Sequence, residues 1–374
     1  MWTGMFIYHK RNLIFDKEAI FMGRLNFLGL AYTAGVSNLT KLARPYKLNF
    51  SITYKCQSRC LTCNIWQMKP SNELTIEEIE TFARINNFFK WIELTGGEPF
   101  LRSDIVEIAS VFQKNSKGLY LLTMPTNSLC NPDSVISKIE EMLDLGIPKL
   151  SITVSLDGYR ALHDKIRGVS GNYDRAIEMF KRISEIRRRR RNLYAVFGYT
   201  MTNYNLGEFS KTYSEVKKEI PSISYNDFHL NLGQVSDIYY SNSGMSLRPP
   251  KERAAEEIRN AMASRKAKIS AIDIIERSFL KNLHEYVISG AQPMKSRSLD
   301  ASLFMDSYGN VYPSIMWGRK IGNIREADYD LMDIWHNKEA EEVRKDISEG
   351  REPSSWTACE AYQAIAGNIR KAFL

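Results

Sequence analysis

Between residues 46 and 232, six short runs rich in β-branched and aromatic residues alternate with helix-patterned stretches, and this alternation constrains the fold more than any other feature. The runs are YKLNFSITY (46–54), KWIELT (90–95), LYLLTMPTN (119–127), KLSITVS (149–155), YAVFGYTMT (194–202) and YNDFHLNL (225–232). Amphipathic stretches such as TIEEIETFARIN and NPDSVISKIEEMLDLG lie between them, the second ending at Gly146, where a left-handed cap belongs. Six strand–helix units imply an α/β fold with a parallel sheet, either a partial barrel or a doubly wound sheet.

In both architectures chemistry collects on loops after the carboxyl ends of strands. The unusual residues fall there: cysteines after the first run, GGEP after the second, TNS after the third and SLDG at the end of the fourth. The stretch YKCQSRCLTCNIW holds three of the five cysteines, Cys56, Cys60 and Cys63, at a C-x3-C-x2-C spacing. A structural zinc site needs a fourth ligand, which no second CxxC or nearby histidine supplies. A redox CxxC leaves Cys56 unexplained. An iron–sulfur cluster uses all three thiolates and leaves one iron open, as a catalytic metal site requires. A non-catalytic electron carrier or iron sensor is the competing class, and GGEP is a motif it does not need.

An odd, clustered set of cysteines opposes a disulfide framework and fits a reducing compartment. The first residues, MWTGMFIYHKRNLIF, lack the pattern of a signal peptide. The following AIFMGRLNFLGLAYTAGV is apolar but interrupted by Arg24, Asn26 and three glycines, so it reads as a core cap or a membrane-surface segment and not as a span. The expected location is cytoplasmic, with peripheral attachment to a membrane as the variant. The net charge is +8, with five consecutive cations at Arg187–Arg191. This run is either a solvated helix end or a contact for phosphate or an anionic membrane surface. No helix-turn-helix, RNA-recognition or zinc-finger pattern accompanies it, so no nucleic acid is expected.

At the cysteines the sequence resembles the radical S-adenosylmethionine (radical SAM) enzymes, whose signature is C-x3-C-x2-C after the first strand of a partial (β/α)6 TIM-like barrel. The resemblance implies a [4Fe–4S] cluster on Cys56, Cys60 and Cys63 whose open iron binds S-adenosylmethionine. Reductive cleavage would give methionine and a 5′-deoxyadenosyl radical that abstracts hydrogen from an unactivated C–H bond. The electron would come from a small-molecule donor or from a ferredoxin or flavodoxin. By the same resemblance Gly96, Gly97 and Glu98 of LTGGEPFLR would bind the methionine amino group, Ser155 would contact S-adenosylmethionine, Arg167 of HDKIRG would meet its carboxylate, and Asn127 would stand where relatives have TNG. Thr62 departs from the aromatic or Met usual before the third cysteine.

After Met245 the texture changes. LRPPKERAAEEIRNAMASRKAKIS is charged and helical, SLFMDSYGNVYPSIMWGRKIGNI carries a hairpin turn at YGN, and LMDIWHNKEAEEVRKDI reads as one helix. These parts resemble the small α+β SPASM or twitch extension. Ser314 stands where a cysteine normally follows the proline, and PSSWTACEAYQ, with Ser355 before its tryptophan, keeps only Cys359. Cys130 and Cys359 are too few for a second cubane, so a SPASM-like scaffold without auxiliary clusters is expected. The expected organisation is an apolar N-terminal extension over 1–45, the barrel over 46–243 and the C-terminal extension over 244–374. The apolar N-terminus and basic run favour a lipid-like or hydrophobic substrate, with a peptide as the alternative.

Overall fold

A computed structural model of the chain describes residues 21–268 and 270–368. The opening residues of the N-terminal expectation, 1–20, lie outside the described residues.

Helix α1 occupies residues 21–36. The barrel then alternates β1 (Lys47–Thr53), α2 (Ile76–Ile85), β2 (Trp91–Gly96), α3 (Ile105–Asn115), β3 (Leu121–Thr126), α4 (Pro132–Asp144), β4 (Lys149–Ser155), α5 (Arg160–Arg167), α6 (Asn172–Arg189), β5 (Leu193–Met201), α7 (Phe209–Glu219) and β6 (Phe228–Leu232). Each of the six sequence runs overlaps its strand, with bounds that coincide or shift by one to three residues. Local chemistry sets the helix ends. Thr75 and Glu78 form a reciprocal capping box before α2, Asn131 caps α4, and Gly146 takes φ +79 after it.

Strands β1 to β6 form a parallel sheet in sequence order, which makes a partial (β/α)6 barrel. Along β1 and β4, apolar residues alternate with polar ones. Leu48, Phe50 and Ile52 on β1, and Leu150, Ile152 and Val154 on β4, join the core under the helices. Their neighbours Asn49, Ser51, Ser151, Thr153 and Ser155 therefore face the concave side. A parallel sheet with both faces in apolar packing reads as continuous hydrophobic runs, so this alternation marks a polar interior.

The rest of the chain extends and partly closes the barrel. Helices α8 (Lys251–Ser264) and α9 (Ala271–Ser289) follow β6. Strand β7 (Ser302–Met305) then pairs parallel to β1, and β8 (Asn310–Tyr312) and β9 (Gly322–Asn323) add antiparallel, giving one nine-stranded sheet. The YGN turn is present, with Gly309 at φ +82 packed on Ile324. The helix expected over LMDIWHNKEAEEVRKDI is two, α10 (Leu331–Trp335) and α11 (Lys338–Ser348), because Asn337 leaves the helix to cap α11 by accepting from Ala340 N at 2.8 Å.

Helix α12 (Ala358–Ala366) crosses the lower half of the concave side. Its Tyr362 stacks on Trp91 of β2, with ring centroids 6.2 Å apart, and hydrogen-bonds His229 of β6 and Glu276 of α9. Lys47, fully buried at the start of β1, donates to Cys359 O at 2.5 Å and Gln363 Oε1 at 3.2 Å, and stands 3.5 Å from Glu93. Cys359 Sγ donates to Glu93 Oε1 at 3.1 Å. This buried network pins α12 to the sheet, and partnering of this kind is what makes burial of Lys47 tolerable.

Candidate cluster and cofactor site

All sequence-predicted site residues stand at the carboxyl-terminal end of the strands. The cysteine loop leaves β1 after Thr53 and is held on three sides by backbone hydrogen bonds. Arg59 N and Leu61 N donate to the carbonyls of Arg167 and Ile166, at 2.9 and 2.8 Å, and Asn64 N donates to Tyr240 O at 2.8 Å. Gly97 N and Glu98 N donate to Thr53 O and Lys55 O, at 2.8 and 2.9 Å.

That last contact explains the two glycines. Gly96 has φ +122, and a Cβ there would meet Thr53 O at 2.1 Å; a Cβ on Gly97 would meet Lys55 O at 2.1 Å. The glycines let the end of β2 press against the backbone leading into Cys56. In this arrangement their close approach is to the chain itself. Gly168, at φ +66 after α5, does the same against Arg59 O, which its Cβ would meet at 2.3 Å.

Each thiol has a nearby polar group. Arg167 Nη1 lies 3.8 Å from Cys60 Sγ, Asn127 Nδ2 lies 3.6 Å from Cys56 Sγ, and Cys63 Sγ lies 3.6 Å from Tyr240 O. Burial pushes the thiols up, Cys56 to about 11 and Cys63 to about 12, while the Arg167 charge opposes the rise at Cys60. Binding iron therefore displaces protons from all three. Among the described residues no three His, Cys, Asp or Glu side chains are grouped around a single metal-ion position. A cubane fits this donor set, because its three thiolates bind three different irons and need no convergence on one point, and a positive guanidinium beside one sulfur offsets their charge.

Glu98 is buried and already engaged. Its carboxylate accepts from Asn127 N at 2.6 Å and Phe100 N at 3.2 Å, which ties the end of β2 to the end of β3. Burial nevertheless raises it to about 7 against those two donors. Asn127 also donates to Gln57 Oε1 at 3.4 Å and accepts from Asn172 Nδ2 on its carbonyl at 2.8 Å. Ser128, at the glycine position of the expected TNG pattern, sits at φ +63, a left-handed conformation that glycine adopts without strain.

Arg167 forms a buried ion pair with Asp157, Nη2 to Oδ2 at 2.7 Å. Asp157 is itself fixed: its Oδ1 accepts from Thr200 N at 2.9 Å and its backbone N donates to His163 Nδ1 at 3.0 Å. Burial, with the nearby Arg167 charge, holds His163 near 3, so its ring is neutral and accepts through Nδ1. The sequence places SLDG at the end of the fourth strand but does not single out Asp157 or His163. The available signal was the i, i+4 placement of His163 and Arg167 on one short helix. Ser155 ends β4 half-buried on the concave face and makes no side-chain hydrogen bond among the described residues.

The structure thus brings Cys56, Cys60, Glu98, Asn127 and Arg167 into one electrostatically coupled cluster, with Cys63 on the adjoining turn. Ser314, in place of an expected cysteine, accepts from Met316 N at 3.2 Å, and Trp356 donates to Phe279 O at 3.0 Å, so hydrogen bonds hold these segments.

The chain matches the family model described as radical SAM superfamily over residues 50–216, and one described as iron-sulfur cluster-binding domain over residues 297–370. Within the second match the only cysteine is Cys359. An AdoMet-dependent heme synthase of Methanosarcina barkeri is 26% identical over 351 residues, 88% of this chain and 92% of that protein. The antilisterial bacteriocin subtilosin biosynthesis protein AlbA of Bacillus subtilis is 25% identical over 48% of this chain, which spans only 38% of AlbA. The structure of anSMEcpe with bound AdoMet and a peptide superposes with a TM-score of 0.58 at 14% identity, covering 88% of this chain and 98% of that one, a likeness of fold.

Proposed function

The chain belongs to the radical SAM superfamily, as an enzyme whose cofactors are a [4Fe–4S] cluster and S-adenosylmethionine, and on that premise we propose that it acts on a polar, peptide-class substrate bound on the concave face of the sheet. The observation that carries this reading is the concave lining. Ser51 Oγ, Thr123 Oγ1 and Asn231 Oδ1 are buried there without a partner among the described residues, beside half-buried Ser151, Thr153 and Ser155. Buried polar atoms are normally hydrogen-bonded, so such a face suits a ligand rich in donors and acceptors, and suits an acyl chain poorly.

When bound, the cluster and S-adenosylmethionine supply reductive cleavage and a 5′-deoxyadenosyl radical. Cys56, Cys60 and Cys63 hold the cluster. Arg167 donates toward the Cys60 sulfur and, held by Asp157, keeps a positive charge beside the site. Glu98 orders the ends of β2 and β3, and its remaining acceptor capacity serves the methionine ammonium. Ser155 faces the S-adenosylmethionine side of the cavity, and the rest of the polar lining orients the substrate. Helix α12 closes the lower cavity and excludes water from that end. The electron comes from a small donor, a ferredoxin or a flavodoxin.

The lipid-like substrate that the sequence favoured loses support from the position of α1, whose Asn26 and Phe27 contact the turn entering β3, at the pole opposite the cysteines. A tetrapyrrole is the second reading, favoured by the extent of the match to the heme synthase. The test is isotopic. Uniformly deuterated peptide, lipid and tetrapyrrole fractions are each supplied to reduced, reconstituted enzyme, and 5′-deoxyadenosine is analysed by mass spectrometry. Deuterium transfer from the peptide fraction alone is expected; transfer only from lipid or tetrapyrrole overturns the proposal.

A further inference from the structure

Helix α1 lies across the amino-terminal ends of the strands. Asn26 Nδ2 donates to the carbonyls of Lys117 at 3.2 Å and Leu119 at 2.9 Å, and the Phe27 ring packs on Tyr120 with centroids 5.3 Å apart. Gly23 and Gly29 pass close to Pro148 and Lys90. These contacts reach the loops entering β2, β3 and β4 and use one side of the helix. The other side presents Phe21, Leu25, Leu28 and Tyr32, which are 60%, 44%, 61% and 74% exposed. Their spacing of i, i+4, i+7 and i+11 makes one continuous stripe.

The surroundings of the stripe are basic. The loops entering β2 to β5, residues 86–90, 116–120, 145–148 and 190–192, contain Lys90, Lys117, Arg190 and Arg191 and no acidic residue. Of the arginine run, Arg187, Arg189 and Arg190 pair with Asp227, Glu140 and Asp144. Arg188 and Arg191 make no ion pair among the described residues. Arg24 stands exposed on α1 itself. An exposed apolar stripe on a monomer marks a binding surface, and this one is framed by cations.

We infer that this pole docks on an anionic lipid bilayer, with α1 lying in the interfacial plane. Apolar burial and attraction to anionic headgroups are the two terms that hold such a helix, and both are present. Charge complementarity selects the occupant: a second copy docked on the same face would set like charges opposite one another, whereas anionic lipid matches them. The inference goes beyond the proposed substrate and does not depend on it. Strand β1 has seven residues, so at about 3.3 Å per residue the cysteine loop stands roughly 20 Å away and opens toward water.

The test is co-sedimentation of the full-length chain with vesicles of phosphatidylcholine alone, or of an equal mixture with phosphatidylglycerol. The chain is expected to sediment with the anionic vesicles at low ionic strength and to be released as salt rises. Lys117→Gln with Arg191→Gln should weaken binding roughly fivefold per cation removed. Leu25→Gln with Leu28→Gln should cost about tenfold or more, since two exposed leucines no longer enter the interface. Both variants should keep wild-type circular dichroism and 5′-deoxyadenosine formation. Wild-type chain that stays in the supernatant with both vesicle types overturns the inference, as does binding that ignores both variants. A dimer in analytical ultracentrifugation that the leucine variant dissolves also overturns it, by assigning the face to a second copy.

Discussion

Arg167 Nη1 lies 3.8 Å from the sulfur of Cys60 while its Nη2 is held 2.7 Å from Asp157. A fixed positive charge and a donor beside a cluster ligand both favour the reduced, more negative cluster. Arg167→Met should therefore lower the cluster's reduction potential by about 60 mV, one tenfold step in a one-electron equilibrium. Arg167→Lys, which keeps the charge but not the fork, should lower it less. Potentiometric titration followed by electron paramagnetic resonance reads both shifts. Equal potentials in all three proteins would make Arg167 purely structural.

Gly97 should tolerate no side chain. Its Cβ would stand 2.1 Å from a backbone carbonyl of the segment entering Cys56, so Gly97→Ala must displace that segment. A loss of about 3 kcal/mol or more is expected in urea unfolding of the cluster-free chain, with iron loading reduced in parallel. Gly146→Ala, with nothing within 4 Å of its Cβ but a left-handed φ of +79, should cost only about 1 kcal/mol.

How far these features were legible in sequence follows from their range. The six strands and the placement of the cysteines, GGEP, TNS and SLDG at one end rest on local periodicity and chain order, which a sequence displays directly. The polar interior was also written there, in alternations such as KLSITVS, and the run was used only to identify a strand. The partners of Arg167 and Glu98 are non-local. Cys60 lies 107 residues from Arg167 and Asn127 lies 29 from Glu98, so no motif spacing exposes them. The break between α10 and α11 had a local cue, Asn337, whose capping preference competes with the surrounding helical pattern. The arginine run could not be apportioned between pairing and exposure, because its acidic partners come from α4 and from the turn before β6.

Glu98 separates a structural from a binding role. Glu98→Gln replaces a carboxylate that accepts two backbone N–H groups by an amide that can accept through one oxygen only. Stability should fall by about 1.5–3 kcal/mol, the range for a hydrogen bond to a charged group. If the same carboxylate receives the methionine ammonium, S-adenosylmethionine affinity should also fall about tenfold or more, with iron content intact. Calorimetric titration alongside urea unfolding distinguishes the cases: lost stability with unchanged affinity leaves Glu98 as a positioning residue.

His163 should make stability depend on acid. Its folded value near 3 lies below the unfolded 6.5, so between these limits the unfolded chain binds the extra proton. The stabilisation is complete above pH 6.5 and is lost as pH falls toward 3. Between pH 6.5 and 4.5 this amounts to about 2–3 kcal/mol. His163→Asn, which can still accept from Asp157 N but cannot titrate, should show a correspondingly flatter decline in urea midpoints over that window. Parallel declines in the two proteins would contradict a neutral, buried His163.

The central claim is that the cysteine loop after β1 holds the single catalytic cluster. The most direct measurement is 5′-deoxyadenosine formed from S-adenosylmethionine by the anaerobically reconstituted, reduced chain, compared with Cys60→Ala and with Cys359→Ala. Product from wild type and from Cys359→Ala, with none from Cys60→Ala, is the predicted result. Product that survives loss of Cys60, or disappears with loss of Cys359, would contradict it.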